Sequence, residues 1–575
     1  MKTWLSALML PLVLAGCGDG KQAEPELTGR LQGGHVEGVE WRTPTRSGVT
    51  DSGGRFTYLP GEMVAFSLGA TDLGSAPGST DITLFTLAGL TPPTTERALR
   101  RELDRAMRGS TPFTRAMNLD LLLIALDADA NPDNGIDVRN RGDALTGVAL
   151  RFDQRIIDFG TQLYWNVPSL TQSVPLFKPV AHLYASLGLR VPVHAQTRLE
   201  TNVAGQASTD VQTYAYYADG LLKSHDEDRD GDGHVDSKDV YAYDGFGRPA
   251  SLEFTSDDDL DHVDDQTFST IYQYDSRGTV TGLVQTIDAP AFGVRKSDRM
   301  VAHDVDALGR TTRQVVETDA DSDGTVDSRE VTTAIYHVPF DSVFTTTTDS
   351  NNDGVVDYIT RSTDLRDAQR RVRSHVFEQD YDADGVFDSR TTDTYVYDDA
   401  RRTMRGSSEV DVNGDGTAEA RVTSSWRFDG AGNVVAQTYA VEPLADGVIW
   451  QSQSITREYD TARRVTRSTL DQDVNGDGTP ESRQLDATRY DDIGNVILTT
   501  SDYDDGVDGQ IDGHYDEGSE YGSAGELLAS ASHLDLDGDG LTDIRGGLTV
   551  ENTLVDDGVT LLTDWYLRTR FSGFQ

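Results

Sequence analysis

Aromatic and polar residues alternate through the chain from residue 205 to its end, in short segments that stop at glycine-containing turns. Residues two positions apart lie on the same face of a β-strand. An aspartate follows the second aromatic residue of such a pair, and a glycine follows the aspartate three positions later, which is a turn signature. The pattern predicts successive β-hairpins, and the clearest aromatic pairs are Tyr241 and Tyr243, Tyr272 and Tyr274, Tyr395 and Tyr397, and Trp426 and Phe428.

The region before residue 205 has a different pattern. Short strands are predicted at 27–31, 39–43, 55–58 and 63–68, and they suggest a small β-sandwich over 27–80. Residues 81–204 form a helical or mixed domain, with one helix after Thr95 and another at 117–126. The segment from Thr50 to Phe56 resembles a turn of carboxypeptidase-regulatory-like β-sandwich domains.

An acidic motif recurs between the hairpins, with the form D-x-[DN]-x-D-G-x-x-[DE]. From position 319 onwards its copies begin 30, 31, 31, 62, 31 and 31 residues apart, and a decayed copy stands at 442. The same step backwards reaches Asp288, where the first ligand and the glycine remain, and then Asp257, Asp259 and Asp261. An earlier copy begins at 228. A period held this closely indicates a repeat protein. The fold is therefore predicted to be mainly β, with an array of about eleven 31-residue hairpin repeats over 205–575.

Calcium is the ligand that this motif predicts. Hard cations take six to eight oxygen ligands, and side chains at positions 1, 3, 5 and 9 of a curled loop supply them while glycine at position 6 allows the turn. We expect several calcium ions. The predicted ligands are Asp228, Asp230, Asp232, Asp236, Asp319, Asp321, Asp323, Asp327, Glu330, Asp349, Asn351, Asp353, Asp357, Asp380, Asp382, Asp384, Asp388, Asp411, Asn413, Asp415, Glu419, Asp473, Asn475, Asp477, Glu481, Asp504, Asp508, Asp512, Asp535, Asp537, Asp539 and Asp543.

The loops resemble those of EF-hands and, more closely, those of dockerins and thrombospondin type 3 repeats. They depart from the EF-hand at position 12, where only Glu330 and Asp239 offer a carboxylate. We therefore expect affinities near the extracellular range of about 10⁻⁴–10⁻³ M. Five units carry arginine at position 11; these arginines either bridge neighbouring acidic loops or are simply exposed.

The aromatic-aspartate turns resemble the YD repeat of Rhs-type proteins over roughly 210–530. This resemblance implies a curved, spiralling sheet of hairpins, which in large members is a hollow shell around a toxin. The chain is short for a closed shell and has no toxin-like tail, so a polar interior or an open stalk is expected here. The alternative architecture is a β-propeller, in which two repeats form each four-stranded blade.

The N-terminus suggests export. A short apolar run ends in Leu14-Ala15-Gly16-Cys17, which resembles the lipobox of bacterial lipoproteins. The resemblance implies that residues 1–16 are a signal peptide, that Cys17 is lipidated and that 17–26 form a tether. Cys17 is the single cysteine, so no disulfide forms within the chain. The expected location is the cell envelope, anchored by lipid to the outer membrane, with its face undecided.

The net charge of −46 argues against nucleic acid as a partner. No nucleophile elbow, metalloprotease or phosphate-loop motif is present, and paired acids are too abundant to indicate a glycosidase, so an enzyme is not expected. The expected function is a calcium-stabilised structural or adhesive surface scaffold that contacts a surface protein or glycan. The alternative is a carrier or packaging module of an Rhs-like toxin or export system.

Overall fold

The structure is a computed structural model. It describes residues 25–555 apart from 33–34, 129–131, 168–169, 171–173, 175–177, 190, 204, 218–219, 246, 276–279, 291–292, 307–309, 338–340, 370 and 445–450. The predicted signal peptide, Cys17 and most of the tether lie outside the described residues.

Among the described residues, the N-terminal domain has nine short strands, five α-helices and two short 3-10 helices, Pro132–Asn134 and Gly142–Leu145. The strands are β1 (Leu27–Gln32), β2 (Val36–Glu37), β3 (Glu40–Arg42), β4 (Ser47–Val49), β5 (Arg55–Tyr58), β6 (Met63–Leu68), β7 (Thr71–Pro77), β8 (Asp81–Thr83) and β9 (Ile136–Asp137). The helices are α1 (Leu84–Leu87), α2 (Glu96–Arg108), α3 (Pro112–Leu126), α4 (Ile156–Asn166) and α5 (Lys178–Leu187). No helix among the described residues is long and apolar enough to cross a bilayer.

Two small sheets, ordered β5-β1-β8 and β4-β3-β6-β7, meet through aromatic rings. The Phe56 and Phe66 rings pack edge to face with centroids 5.3 Å apart. The predicted turn before β5 forms because Asp51 accepts hydrogen bonds from the backbone N–H groups of Gly53 and Arg55. Helix α3 is capped by Thr111 and is buried along most of its length. The hydrophobic core of the protein is centred on this domain.

The remaining strands form one large sheet. They are β10 (Val191–Val203), β11 (Gln206–Tyr216), β12 (Leu222–Asp228), β13 (Ser237–Tyr243), β14 (Pro249–Ser256), β15 (Gln266–Tyr274), β16 (Val280–Ala289), β17 (Val294–Val305), β18 (Thr311–Asp319), β19 (Ser328–His337), β20 (Asp341–Asp349), β21 (Tyr358–Arg366), β22 (Val372–Asp380), β23 (Ser389–Asp398), β24 (Thr403–Asp411), β25 (Ala420–Phe428), β26 (Val434–Pro443), β27 (Gln451–Tyr459), β28 (Val465–Asp473), β29 (Ser482–Tyr490), β30 (Val496–Asp505), β31 (Gly513–Tyr521), β32 (Leu527–Asp535) and β33 (Ile544–Val555).

This sheet is a closed barrel of 24 antiparallel strands. Each strand pairs with the next, and β33 returns to pair with β10 from Val191↔Val555 to Val203↔Ile544. The expectation of an open stalk is therefore wrong, and the single continuous sheet differs from the separate blades of a propeller. Eleven hairpins span the loops at the predicted spacing, and β10–β11 adds a twelfth hairpin that begins upstream of residue 205.

The barrel has little hydrophobic core of its own. Most described side chains on its strands are only half-buried, on both faces of the sheet. On β23 the exposed residues are Arg390, Thr394 and Val396, whereas Tyr395 and Tyr397 on the other face are half-buried. A closed sheet crowds its concave face, so we assign the tyrosine face to the lumen. Tyr216 and Tyr243, on the same face, pack against the core of the N-terminal domain.

The hairpin order gives the barrel two chemically distinct ends. Because consecutive strands are antiparallel, all acidic loops lie at one end, called here the loop end, and all aromatic-aspartate turns lie at the other, the turn end. The N-terminal domain contacts the turn end. Arg97 of α2 pairs with Asp491 at 3.2 Å and also with Asp492, and Arg100 donates to the carbonyl oxygen of Gly525 at 2.8 Å.

Candidate metal centres at the loop end

Each predicted loop curls around its first aspartate. In the loop at Asp380, one carboxylate oxygen accepts the N–H of Gly385 at 2.9 Å and the other accepts the N–H of Asp384 at 3.2 Å. The bond to the position-6 N–H recurs in all eight predicted loops at 2.8–3.1 Å. The position-6 glycines have φ between +82° and +95°, a conformation that strains other residues. The reason for glycine at this position is thus confirmed.

The other predicted ligands have equally regular places. The carboxylate at position 9 closes every one of these loops by accepting the N–H of position 2, at 2.6–2.8 Å. The side chain at position 3 accepts the N–H of position 5; in the loop at Asp380, the Asp384 N–H donates to Asp382 at 3.3 Å. The side chain at position 5 accepts the N–H of position 7. Where glutamate closes the loop, as at Glu419, the amide of Asn413 donates to it at 2.9 Å.

Carboxylate oxygens converge inside the loops. In three predicted loops the acids at positions 1, 3 and 9 bring one oxygen each within 4.8 Å of one another: Asp228, Asp230 and Asp236; Asp319, Asp321 and Asp327; and Asp380, Asp382 and Asp388. The first aspartate is often buried, with an exposed fraction of 1% at Asp380 and 5% at Asp504. A set made only of oxygen atoms, partly withdrawn from water, suits a hard cation such as calcium.

Backbone N–H donors lower the pKa of these carboxyl groups, whereas neighbouring negative charges raise it. Burial raises the pKa of Asp535, but backbone N–H groups from Gly540 and Gly538 outweigh it, so the pKa is lowered overall. At Asp259 the charge of Asp261 is the largest influence and raises the pKa. Side chains of like charge therefore repel one another where the loop supplies too few donors.

One acidic loop with converging carboxylates was absent from the predicted ligand set. Asp257, Asp259 and Asp265 form a convergent group of the same kind, and Asp257 is 1% exposed. His262 stands at the glycine position of this loop and adopts φ +71° there. The aspartates at positions 1, 3, 5 and 9 were the available signal.

Three further predicted residues or copies have different surroundings. Glu330, the proposed position-12 ligand, lies on β19 in register with Val316 and Thr348, whereas the convergent group of its loop is Asp319, Asp321 and Asp327. Asp232 meets His234 and His262. In the shortened copy at 288, Asp288 is paired with Arg295 at 3.1 Å, so a guanidinium group stands beside the carboxylate.

The position-11 arginines do not bridge neighbouring loops. Arg421 pairs with Glu409 at 2.7 Å and Arg483 with Asp471 at 2.6 Å, in each case across the two strands that flank one loop. Arg329 and Arg390 have the equivalent partners Glu317 and Glu378 at longer distances. These pairs stabilise the stem of each hairpin, on the exposed face of the barrel.

At the turn end, several of the aromatic-aspartate motifs that the structure describes link two consecutive repeats. Asp367 accepts the backbone N–H and the Nε–H of Arg371, at 2.9 and 2.8 Å. The Arg371 guanidinium lies 4.1 Å from the ring centroid of Tyr397 in the next repeat, and the Tyr397 hydroxyl donates to the carbonyl oxygen of Val372 at 2.9 Å. The same arrangement recurs with Arg248 and Tyr274, Arg310 and Tyr336, and Arg464 and Tyr490.

No family model and no curated protein matches this sequence. Among solved structures, the Photorhabdus luminescens Tc holotoxin pore is 13% identical with a TM-score of 0.20; the match covers 60% of this chain and 18% of that chain. A porin-like protein from Bacteroides uniformis is 10% identical, covers 63% and 96%, and has a TM-score of 0.16. Pseudomonas aeruginosa OccK9 is 7% identical over the same shares, with a TM-score of 0.17. The present chain thus spans less than a fifth of the toxin chain's length.

Proposed function

We propose that this protein is a calcium-stabilised scaffold of the bacterial cell envelope, a lipoprotein anchored through Cys17 whose barrel is a rigid structural or adhesive surface. The ring of regular acidic loops at one end of a barrel with little core carries this proposal. The Tyr-Asp turns and their links between repeats support a relation to YD-repeat proteins.

The weak core explains why cations matter. Folding must offset roughly 1–2 kcal/mol of backbone entropy per residue, and burial of apolar surface is usually the largest compensating contribution. The barrel strands bury few large apolar side chains, such as Val315 at 0% and Ile493 just beyond a strand at 3%. Strand pairing, the tyrosine links and cations in the loops are the remaining sources of stability. Calcium that binds only the folded loops stabilises them by mass action.

The size of the lumen bears on the alternative function, that of a carrier. Twenty-four strands spaced about 4.8 Å apart give a circumference of roughly 115 Å and a backbone diameter of at least about 37 Å, and strand tilt widens it further. Side chains leave a free bore of at least about 27 Å. A helix about 10–12 Å wide fits within that bore. The lumen is therefore wide enough for a polypeptide cargo, as the carrier function requires.

The exposed face of the barrel favours contact with water or polar partners. Arg421–Glu409 and Arg483–Asp471 lie on this face, where a lipid-facing barrel carries an apolar band. The proposed membrane contact is the lipid on Cys17. A surface protein or a glycan is the proposed partner of the polar exterior.

The test is thermal and chemical unfolding of the full chain in zero to 5 mM calcium, with magnesium as the control. The full chain is needed because a fragment starting at residue 205 lacks β10 and opens the barrel beside β33. With dissociation constants of about 10⁻⁴–10⁻³ M, 5 mM calcium should add roughly 1–2 kcal/mol for each occupied loop. A calcium-selective rise in melting temperature with several ions bound supports the proposal, and an unchanged melting temperature refutes it.

A further inference from the structure

One cluster at the loop end has a ligand chemistry unlike that of the other loops. Asp232, His234 and His262 each bring one ligand atom within 4.8 Å of the other two. The Nε2 atom of His262 is 3.0 Å from a carboxylate oxygen of Asp232. The rings of His234 and His262 are stacked with centroids 3.9 Å apart and planes 17° from parallel. Two imidazole nitrogens and one carboxylate oxygen thus lie within reach of one ion.

The cluster joins two neighbouring repeats. Asp232 and His234 are positions 5 and 7 of the loop that begins at Asp228, and His262 is position 6 of the loop that begins at Asp257. All three side chains are exposed, so an ion from solution reaches them without any opening of the fold. His262 holds φ +71° at the position that is glycine in the eight predicted loops, and its N–H donates to Asp257 at 2.6 Å. His262 therefore stands on a turn whose backbone conformation non-glycine residues rarely adopt.

We propose that Asp232, His234 and His262 bind a zinc-class divalent transition metal ion that cross-links the first two acidic loops. Calcium takes oxygen ligands, whereas imidazole nitrogen selects zinc, copper and nickel. Three protein ligands leave a fourth position of a tetrahedral ion for water or an external ligand. This site is distinct from the oxygen-only loops through its two imidazoles, and it shares Asp232 with the loop that begins at Asp228.

The chain itself provides a clean variant for the test. His262→Gly restores the glycine that the eight predicted loops have at position 6, so it removes a nitrogen ligand while preserving the turn. His234→Thr introduces the residue found at this position in the loop of Asp319, where Thr325 stands. His375→Gln is the control, because His375 is paired with the single carboxylate of Asp364 at 2.8 Å, far along the barrel.

The experiment is titration of the full chain with zinc chloride in saturating calcium, by calorimetry and by the ¹⁵N shifts of the histidine side chains. The parent and His375→Gln should bind one zinc ion that shifts the His234 and His262 signals. His262→Gly and His234→Thr should each weaken that binding by more than about 100-fold, since even outer partners of metal ligands contribute 10–100-fold. Their calcium-dependent melting should persist, which shows that the fold is intact. Zinc affinity unchanged in both variants, or zinc that leaves these two imidazoles unshifted, would overturn the proposal.

Discussion

The two ends of the barrel both concentrate carboxylates, but they neutralise them in different ways. At the turn end, Asp367 pairs with Arg371, whose guanidinium also lies over Tyr397. At the loop end, Asp380 accepts only backbone N–H groups in the bonds that the structure gives it, from Asp384 and Gly385. The carboxylate of Asp367 is thus neutralised by a cationic side chain of the protein itself. At the loop end, the full negative charge of Asp380 faces only the partial positive charges of backbone N–H groups.

The difference shows how the stability of a barrel with little hydrophobic core can be made to depend on cations. Arginine within the chain pairs with the motif aspartate of several turns, as Arg371 does with Asp367, whereas the proposed function leaves the acidic loops to cations from solution. The unit at 288 lies between these cases, because Arg295 pairs with Asp288 at the loop end. A side-chain cation can therefore stand beside a loop aspartate, and eight loops instead keep acids at positions 1, 5 and 9. We infer that the dependence on solute cations is a property of the loop end alone.

The largest effect of a single substitution should come from the turn end and should not depend on calcium. Asp460→Ala removes the acceptor of the Arg464 backbone N–H at 3.0 Å and of its Nε–H at 2.7 Å. Hydrogen bonds to charged groups contribute about 1.5–3 kcal/mol, so the free energy of unfolding should fall by roughly 2–3 kcal/mol. Urea unfolding in calcium and in chelator should give the same loss.

The matched control for Asp460→Ala is Asp399→Ala. The Asp399 side chain is 76% exposed and makes one ion pair, with Arg371. Its removal should change the unfolding free energy by less than about 0.5 kcal/mol. A loss from Asp460→Ala that grows when calcium is added would contradict the separation of the two ends.

The next effect belongs to the loop end and should depend on calcium. Asp380→Asn keeps an oxygen that accepts the Gly385 N–H but removes a charge from a site 1% exposed. In 5 mM calcium we expect one ion fewer and a loss of about 1–2 kcal/mol in unfolding free energy. In chelator we expect a smaller loss, because the relief of repulsion among the carboxylates offsets in part the lost acceptor of the Asp384 N–H. Equal losses in both conditions would mean that the carboxylate has only a structural role.

Local features of this fold could be predicted from sequence, and its closure could not. Strand β6 at Met63–Leu68 has the predicted bounds because its alternation reports directly which side chains face the core. The loops were predicted because each one is a local structure, set by aspartate spacing and one glycine. Closure depends on β10 meeting β33, whose residues are more than 300 positions apart in register. No local sequence pattern records that pairing, and the chain is short compared with the YD-repeat proteins that form a closed shell.

Two shortfalls at the site have physical causes. The loop at Asp257 was absent from the predicted ligand set and has His262 where the eight predicted loops have glycine; a non-glycine residue rarely adopts positive φ, yet His262 does so. The position-11 arginines were left between two alternatives because sequence spacing does not show the strand register. That register places Arg421 opposite Glu409 within one hairpin.

A smaller effect should follow from the loss of one tyrosine hydroxyl at the turn end. Tyr490→Phe removes the bond to the carbonyl oxygen of Val465, at 2.9 Å, and keeps the ring beneath Arg464. The free energy of unfolding should fall by about 1 kcal/mol in calcium and in chelator alike. Tyr381→Phe is the control, because Tyr381 is a half-exposed loop residue with weaker hydroxyl contacts, and it should be close to neutral.

The smallest effect, and the most direct contrast, is the response of the two ends to acid in the absence of calcium. The backbone N–H and the side chain of Asn433 lower the pKa of Asp429 at the turn end. The charge of Asp261, followed by burial, raises the pKa of Asp259 at the loop end.

The two shifts have opposite consequences for stability. A lowered carboxyl pKa contributes stability above the unfolded value of about 3.9, and this is lost as the pH falls through the folded value. A raised carboxyl pKa favours the folded state below about 3.9, and this contribution is lost as the pH rises through the folded value. Acid should therefore weaken the bonds around Asp429 while it relieves repulsion at Asp259. Carboxyl ¹³C shifts followed from pH 6 to 2 in chelator should show Asp259 protonating before Asp429. Protonation at the same pH, or in the reverse order, would contradict the contrast between the two ends.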